Sequence, residues 1–182
     1  MLLPDPLPTL QTARLQMRRP KSSDITDRLA LGRDPEIYRM FGADISKLAA
    51  FTMENAVAWV DSIANHPAAW VIEHNNRAIG EIMITNPVDS DRRAGLAIGI
   101  LDPARLGQGL GTEAVAEVTR FCFQTLHLHR LSIRVLAFNE RAIRAYEKIG
   151  FQREGLEREA AHVGETWVDD VMMGILARDL RQ

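Results

Sequence analysis

A single cysteine, Cys122, is the only thiol in this 182-residue chain, so no internal disulfide can form and a multi-cysteine metal site is excluded. It lies in Phe121-Cys122-Phe123, an apolar stretch of a predicted helix, and reads as a small buried hydrophobe rather than a reactive thiol. No cluster of His, Cys and Asp suggests a metal ion, and none is expected. No apolar run approaches the roughly 18 residues of a membrane span. Met1 to Thr9 is rich in Pro and Leu but lacks the basic start and apolar core of a secretory signal, so a cytoplasmic protein away from membranes is expected. Neither sign of charge prevails. A net charge of −2 exerts no overall pull on nucleic acid or an anionic bilayer.

What is present fits one folded domain spanning 1–182, with 1–10 as an extended or flexible lead. Hydrophobic residues make up 46% and charged residues 25%, ordinary values for a globular protein with a sizeable core. Alternation from Thr12 to Arg18 predicts a strand. Lys21 to Asp24 offers capping groups for a helix through Gly32, Pro35 opens a further helical turn, and a helix fits Thr52 to Asn65. Ala69 to His74 and Ala78 to Thr85 read as a hairpin around Asn75-Asn76-Arg77. Pro87 to Arg93 reads as a loop, and Ala94 to Leu101 as a strand buried on both faces. Helices are expected over Gly111 to Leu126 and Glu140 to Ile149, with a strand at Leu131 to Ala137 between them. Phe151 to Glu159 and Thr166 to Arg178 look like a closing antiparallel pair. The order is mixed α/β, helices laid against a largely continuous sheet. His127 and His129, at a predicted helix end, read as capping rather than catalytic groups.

Between the apolar strand and the next helix stands Leu106-Gly107-Gln108-Gly109-Leu110-Gly111-Thr112. Strand, glycine turn and helix together present unpaired backbone N–H groups to an anion. Glycines allow close approach and positive φ. A P-loop would need a lysine after the last glycine, and a dinucleotide fingerprint would need G-x-G-x-x-G with a following acid. This chain has Gly111-Thr112 and the spacing G-x-G-x-G, so both nucleotide readings fail. The second constellation is Asn139-Glu140-Arg141-Ala142-Ile143-Arg144-Ala145-Tyr146-Glu147-Lys148-Ile149-Gly150-Phe151. Asn139 suits an N-cap and Gly150 a helix stop. Ala142, Ala145, Tyr146 and Ile149 share one face, which turns Tyr146 inward.

These two segments resemble the GNAT acetyltransferase superfamily. The glycine turn is similar to its CoA-binding motif, Gln/Arg-x-x-Gly-x-Gly/Ala, with Gly109 and Gly111 as the last two positions, Leu106 in place of the opening Gln/Arg, and Arg105 one residue displaced. The downstream helix matches Asn-x-x-Ala-x-x-x-Tyr-x-Lys-x-Gly-Phe at every fixed position. Thr12 to Arg18 and the stretch from Glu154 to Leu176 look like the first and closing strands of the RimJ/RimL-type branch, so the resemblance covers most of the chain.

The resemblance implies a GNAT-like fold, a mostly antiparallel sheet with one splayed parallel pair and flanking helices. It implies acetyl-CoA as co-substrate, held by Leu106, Gly107, Gln108, Gly109, Leu110, Gly111 and Thr112 at the pyrophosphate. The backbone of Gly99, Ile100 and Leu101 and the cap region Asn139 and Ala142 would hold the pantetheine arm. Tyr146 would donate a proton to the departing thiolate, a role open to a phenol of pKa near 10. The acceptor implied is a primary amine, of a protein N-terminus or of a small molecule such as a polyamine or an aminoglycoside, attacking directly in a ternary complex. For the base, Glu81 is the first candidate and Glu73 the second. The acceptor pocket is expected from about Gly32 to Asn65 and from the closing hairpin near Gly164, and Asp34, Glu36, Asp44, Glu54 and Asp61 lean the first of these towards acid. A homodimer common in that family is left open, as is a non-catalytic acyl-CoA sensor on the same fold.

Overall fold

The computed structural model describes residues 3–180. Local chemistry explains most of its boundaries. The alternating stretch near the start is two short strands, β1 (Leu10–Gln11) and β2 (Gln16–Arg18), and not the single strand its pattern predicts. Thr12 folds the chain back between them: its Oγ1 accepts from Leu15 N at 3.0 Å, and the two strands pair Leu10 with Met17. Helix α1 (Ser23–Leu31) and the short α2 (Pro35–Met40) follow, the latter capped by Asp34, whose carboxylate accepts from Ile37 N at 2.9 Å. Helix α3 (Met53–Asn65) starts on a capping box between Thr52 and Asn55.

Strands β3 (Ala69–His74) and β4 (Arg77–Val88) form the expected hairpin, with Asn75 and Asn76 at positive φ, 51° and 61°. β4 extends past the predicted end. Asn86 and Pro87 leave the ladder in an irregularity between Thr85 and Val88, and the turn to β5 (Arg93–Ile100) is confined to 89–92. A proline lacks the N–H for a ladder, so it sits where the pairing is already broken. α4 (Leu110–Gln124), β6 (Arg130–Leu136), α5 (Glu140–Ile149), β7 (Gln152–Val163) and β8 (Thr166–Leu176) complete the chain, with β7 and β8 turning at Gly164, φ 63°.

The eight strands make one sheet in the order β1-β2-β3-β4-β5-β6-β8-β7, antiparallel throughout except for β5 beside β6. Side chains alternate between the two faces. Trp70, Ile82 and Ile84 join α4 and α5 in the larger core, while Ala69, Val71 and Ala78 pack with Ile63 of α3 on the opposite face. Cys122 is fully buried in α4.

Two expectations about faces need correction. β5 is not buried on both sides: Ala94 and Leu96 are buried, but Ala97, Ile98 and Ile100 are only half-buried. The cause is its parallel partner. β5 and β6 pair only at Arg93↔Arg130, Ala94↔Leu131 and Gly95↔Ser132, then diverge and leave the C-terminal half of β5 beside an opening. On α5 the fully inward residues are Ile143, Tyr146 and Ile149, while Ala142 and Ala145 turn towards that opening and line a cavity. Among the described residues no helix is long and apolar enough to cross a membrane, and no group of three His, Cys, Asp or Glu could hold a metal ion.

Candidate active site

The split between β5 and β6 opens onto two cavities. One, of about 280 Å³, lies among α2, the second half of β5, the glycine turn and α5. The other, of about 880 Å³, is walled by the end of β4, β5, β6 and the β7–β8 pair. Six residues line both: Met40, Phe41, Ile98, Asn139, Ala142 and Tyr146. The cavities therefore meet at Tyr146, through the gap that the diverging strands leave.

The glycine turn shapes the floor of the smaller cavity. Gly107 and Gly109 adopt φ of 75° and 78°, a region that disfavours other residues. Gly109 is the N-cap of α4 and, having no side chain, makes no capping hydrogen bond of its own. The first N–H groups of a 15-residue helix, those of Leu110, Gly111 and Thr112, thus start beside a cavity all three residues line. Such a helix start favours an anion, by up to about 1 kcal/mol at an exposed site. Arg105, Arg141, Arg144 and Lys148 also line this cavity, with no acidic side chain among the lining residues. Glycine backbone, four cations and an apolar wall of Ile37, Ile98 and Ile100 suit a ligand with phosphates at one end and a chain of mixed polarity at the other. Arg141, Arg144 and Lys148 are spaced three and four apart along α5, which puts them on one side of the helix.

Arg14 reaches the same turn from the segment between β1 and β2. Its Nε donates to Glu113 Oε2 at 2.7 Å and its Nη1 to the Gln108 carbonyl at 3.0 Å, which ties the β1–β2 turn to the glycine loop. Burial works to raise the Glu113 pKa, but hydrogen bonds from Thr12 and Arg14 outweigh it and hold the carboxylate below its usual range.

Tyr146 is 8% exposed, and burial pushes its phenol up to about 12. It is therefore protonated at neutral pH. Asn139 caps α5 through its side-chain oxygen, which accepts from Ala142 N at 3.2 Å. Its amide nitrogen makes no hydrogen bond among the described residues.

Of the expected cofactor contacts, Ile100, Leu106, Gly107, Gly109, Leu110, Gly111, Thr112, Asn139, Ala142 and Tyr146 line the smaller cavity. Gly99, Leu101 and Gln108 do not. Gly99 is covered by Phe41, whose ring would stand 3.1 Å from an added Cβ. Leu101 N turns back to donate to the Ile79 carbonyl at 2.7 Å. Gln108 uses its amide on Ala104 O at 2.7 Å.

Glu81 lines neither cavity. It points to the α1–α3 face of β4, and burial raises its pKa against smaller lowering influences from Trp59 and Arg28. Glu73 lies further from the opening, in ion pairs with Arg18 at 2.6 Å and Lys21 at 2.9 Å, which is a structural role. None of Asp34, Glu36, Asp44, Glu54 and Asp61 lines either of these two cavities; the acids that do are Glu157 and Asp170, on the closing strands.

Comparisons with known proteins bear on the family and the fold. The model of the acetyltransferase (GNAT) domain matches residues 14–152. A probable N-acetyltransferase of Bacillus subtilis, YjcK, is 32% identical over 108 residues, which span 59% of this chain and 60% of that relative's length. A second B. subtilis protein, the uncharacterized N-acetyltransferase YoaA, is 26% identical over 176 residues, 93% of this chain and 97% of the relative. The crystal structure of a GNAT-family acetyltransferase from Bacillus anthracis superposes with a TM-score of 0.80 at 20% identity, covering 94% of this chain and 99% of that one, a likeness of fold. With the family model spanning both the glycine turn and the helix of Tyr146, the chain belongs to the GNAT acetyltransferase family, the acetyl-CoA-dependent N-acetyltransferases.

Proposed function

We propose that this chain transfers the acetyl group of acetyl-CoA to a primary amine, of a protein N-terminus or of a small molecule, by direct attack in a ternary complex. The observation that carries the reading is the meeting of the two cavities at Tyr146: a cofactor in one and an acceptor in the other come together at one buried phenol. The N–H groups of Leu110, Gly111 and Thr112, with Arg105 and the three cations of α5 around them, hold the pyrophosphate and terminal phosphates. Asn139 and the open edge of β5 at Ile98 and Ile100 hold the pantetheine arm. Acetyl-CoA, when bound, supplies an activated acyl thioester. The acceptor nitrogen bonds to the acyl carbon as the carbon–sulfur bond breaks. Tyr146 Oη delivers its proton to the sulfur, and the nitrogen's proton leaves into the acceptor cavity. Glu81, outside that cavity, serves in this proposal only as a distant acceptor reached through water.

The same reading places the chain in the RimJ/RimL-type branch, supported by its first and closing strands, and in the cytoplasm, where a lone buried cysteine is in keeping with a reducing medium. A homodimer belongs to it as well, with the exposed Ile45, Met53 and Val57 as apolar surface available for contact. Thiol release from acetyl-CoA, followed across small amines, aminoglycosides and N-terminal peptides, tests the central claim. Tyr146→Phe is expected to lower kcat by about 10²–10⁴-fold, the usual span for a general acid, with little change in KM for acetyl-CoA. Tight CoA binding with no thiol released for any amine would instead support a non-catalytic acyl-CoA sensor.

A further inference from the structure

Asp170 is 1% exposed, and its Oδ2 has no hydrogen-bond partner among the described residues. Arg134 Nε stands 3.3 Å from that oxygen, near enough to attract it but not aligned to donate. The Arg134 side chain is itself 60% exposed, so its charge is largely screened by water. The other buried carboxylates differ. Asp24 takes two hydrogen bonds from Arg18, at 2.8 and 2.7 Å, and Glu73 is held by Arg18 and Lys21. Even the neighbouring Asp169 accepts from Glu159 N at 2.7 Å. A buried carboxylate without aligned donors is costly, and its place on a cavity wall lets a cation from outside the chain approach it.

The surroundings of Asp170 say what kind of partner. It lines the larger cavity, the one on the acceptor side, and belongs to that cavity alone. Glu157 lies opposite it in the β7–β8 register and lines the same space, while Met40, Phe41 and Leu136 make apolar wall. The cavity thus has Tyr146 at the junction where transfer takes place, apolar wall, and two carboxylates on β7 and β8 against the single cation of Arg134 on β6. An anchored ammonium is the natural ligand of those carboxylates. It is not the reacting one: an ammonium held against a carboxylate keeps its proton and so loses its nucleophilicity.

We propose that Asp170 is a specificity-determining residue that binds a second, non-reacting cation of the acceptor, so that the preferred substrates are small amines carrying two positive charges separated by an apolar spacer. This rests on the acetyltransferase reading above.

The test compares two amines of equal length, 1,5-diaminopentane and pentylamine, in thiol release by the full chain and by Asp170→Asn. The full chain is expected to favour the diamine in kcat/KM. Asp170→Asn is expected to lower kcat/KM for the diamine by roughly 30-fold or more, the usual effect of losing one side of a desolvated charge pair. The loss should fall on KM, with pentylamine unchanged. Because the substitution removes a buried charge without aligned partners, its melting temperature should hold or rise. Arg134→Gln, which withdraws the competing cation, is expected to hold or raise kcat/KM for the diamine. A diamine-to-monoamine ratio unmoved by Asp170→Asn overturns the assignment, as does an equal loss for both amines with a lowered melting temperature, which would mark Asp170 as the structural partner of Arg134. Preference for an N-terminal peptide over every dication also overturns it while leaving acetyl transfer intact. CoA binding with no amine acetylated at all overturns this inference together with the proposed activity.

Discussion

A methyl group placed on Gly80 would stand 1.9 Å from the carbonyl oxygen of Gly99. The two backbones pack directly on one another where β4 meets the open half of β5, and no side chain fits between them. Gly80→Ala must therefore push aside the strand that borders the cofactor cavity. The expected outcome is a loss of about 1–3 kcal/mol of stability, as for other overpacked sites, with weaker CoA binding. Urea titration and CoA affinity check both, and an unchanged midpoint would refute the contact.

Arg14 braces the glycine loop, and it also offsets the Glu113 carboxylate at the very helix start that would receive phosphate. Arg14→Ala removes the brace and leaves that negative charge uncompensated. We expect CoA affinity to fall several-fold and stability by about 1 kcal/mol or less, since Arg14 is half exposed. The folded-state pKa of Glu113 is depressed, so its contribution is present above its unfolded pKa of 4.5 and is lost as pH falls through the folded value. The variant should show a shallower loss of stability below about pH 4.5 than the parent.

Alkaline pH should act in the opposite sense through two buried groups. Burial raises Tyr146 from 10 and Cys122 from 9, each to about 12. Their stabilising contribution is whole below the unfolded values and is lost as pH rises towards the folded ones. Stability should therefore decline from about pH 9 and more steeply from pH 10, and Cys122→Ala should delay the onset. Denaturant midpoints at pH 8, 9.5 and 11 provide the measurement. At pH 8 the thiol should resist alkylation until the chain unfolds; rapid labelling of native protein would contradict its burial.

Far from the site, the Arg18 guanidinium is shared between Asp24 and Glu73, at 2.7 and 2.6 Å. Arg18→Met leaves the fully buried Asp24 with only the Lys21 N–H, which donates to it at 2.8 Å. Stripping one member from a buried pair typically costs about 3–5 kcal/mol; Lys21 remains on Glu73, which favours the lower end. A melting temperature near that of the parent would show the network to be dispensable.

Much of this architecture was legible in the sequence because it is local. Asn75-Asn76 announces a hairpin, Thr52 a helix start, and Gly107 and Gly109 a turn at positive φ, each through a preference expressed within a few residues. The segments harder to read depend on distant partners. The exposure of β5 follows from its divergence from β6, which no periodicity in Ala94 to Leu101 records. Gly80 had a faint signal, a glycine inside an apolar strand, but what it touches is nineteen positions away. The acidic lining came from Glu157 and Asp170 rather than from the acid-rich helices, since side-chain direction depends on sheet register and not on charge density along the chain. Glu81 has the residue type a base needs, and the pleat turns it to the α1–α3 side of β4, away from both cavities, which its sequence position does not reveal.

The division of labour between the two cavities also bears on how such a protein can diverge. The walls peculiar to the larger cavity come from the end of β4, from Gly95 to Ala97 of β5, from β6, and from the β7–β8 pair, whose β7 is an outer strand exposed along almost its whole length. The glycine turn, the N-terminal end of α4 and the basic side of α5 contribute nothing to those walls. In the proposed reading, substitutions on β7 and β8 would change which amine is taken while the residues assigned to the acyl donor stay untouched, because the split sheet gives the two cavities mostly separate walls.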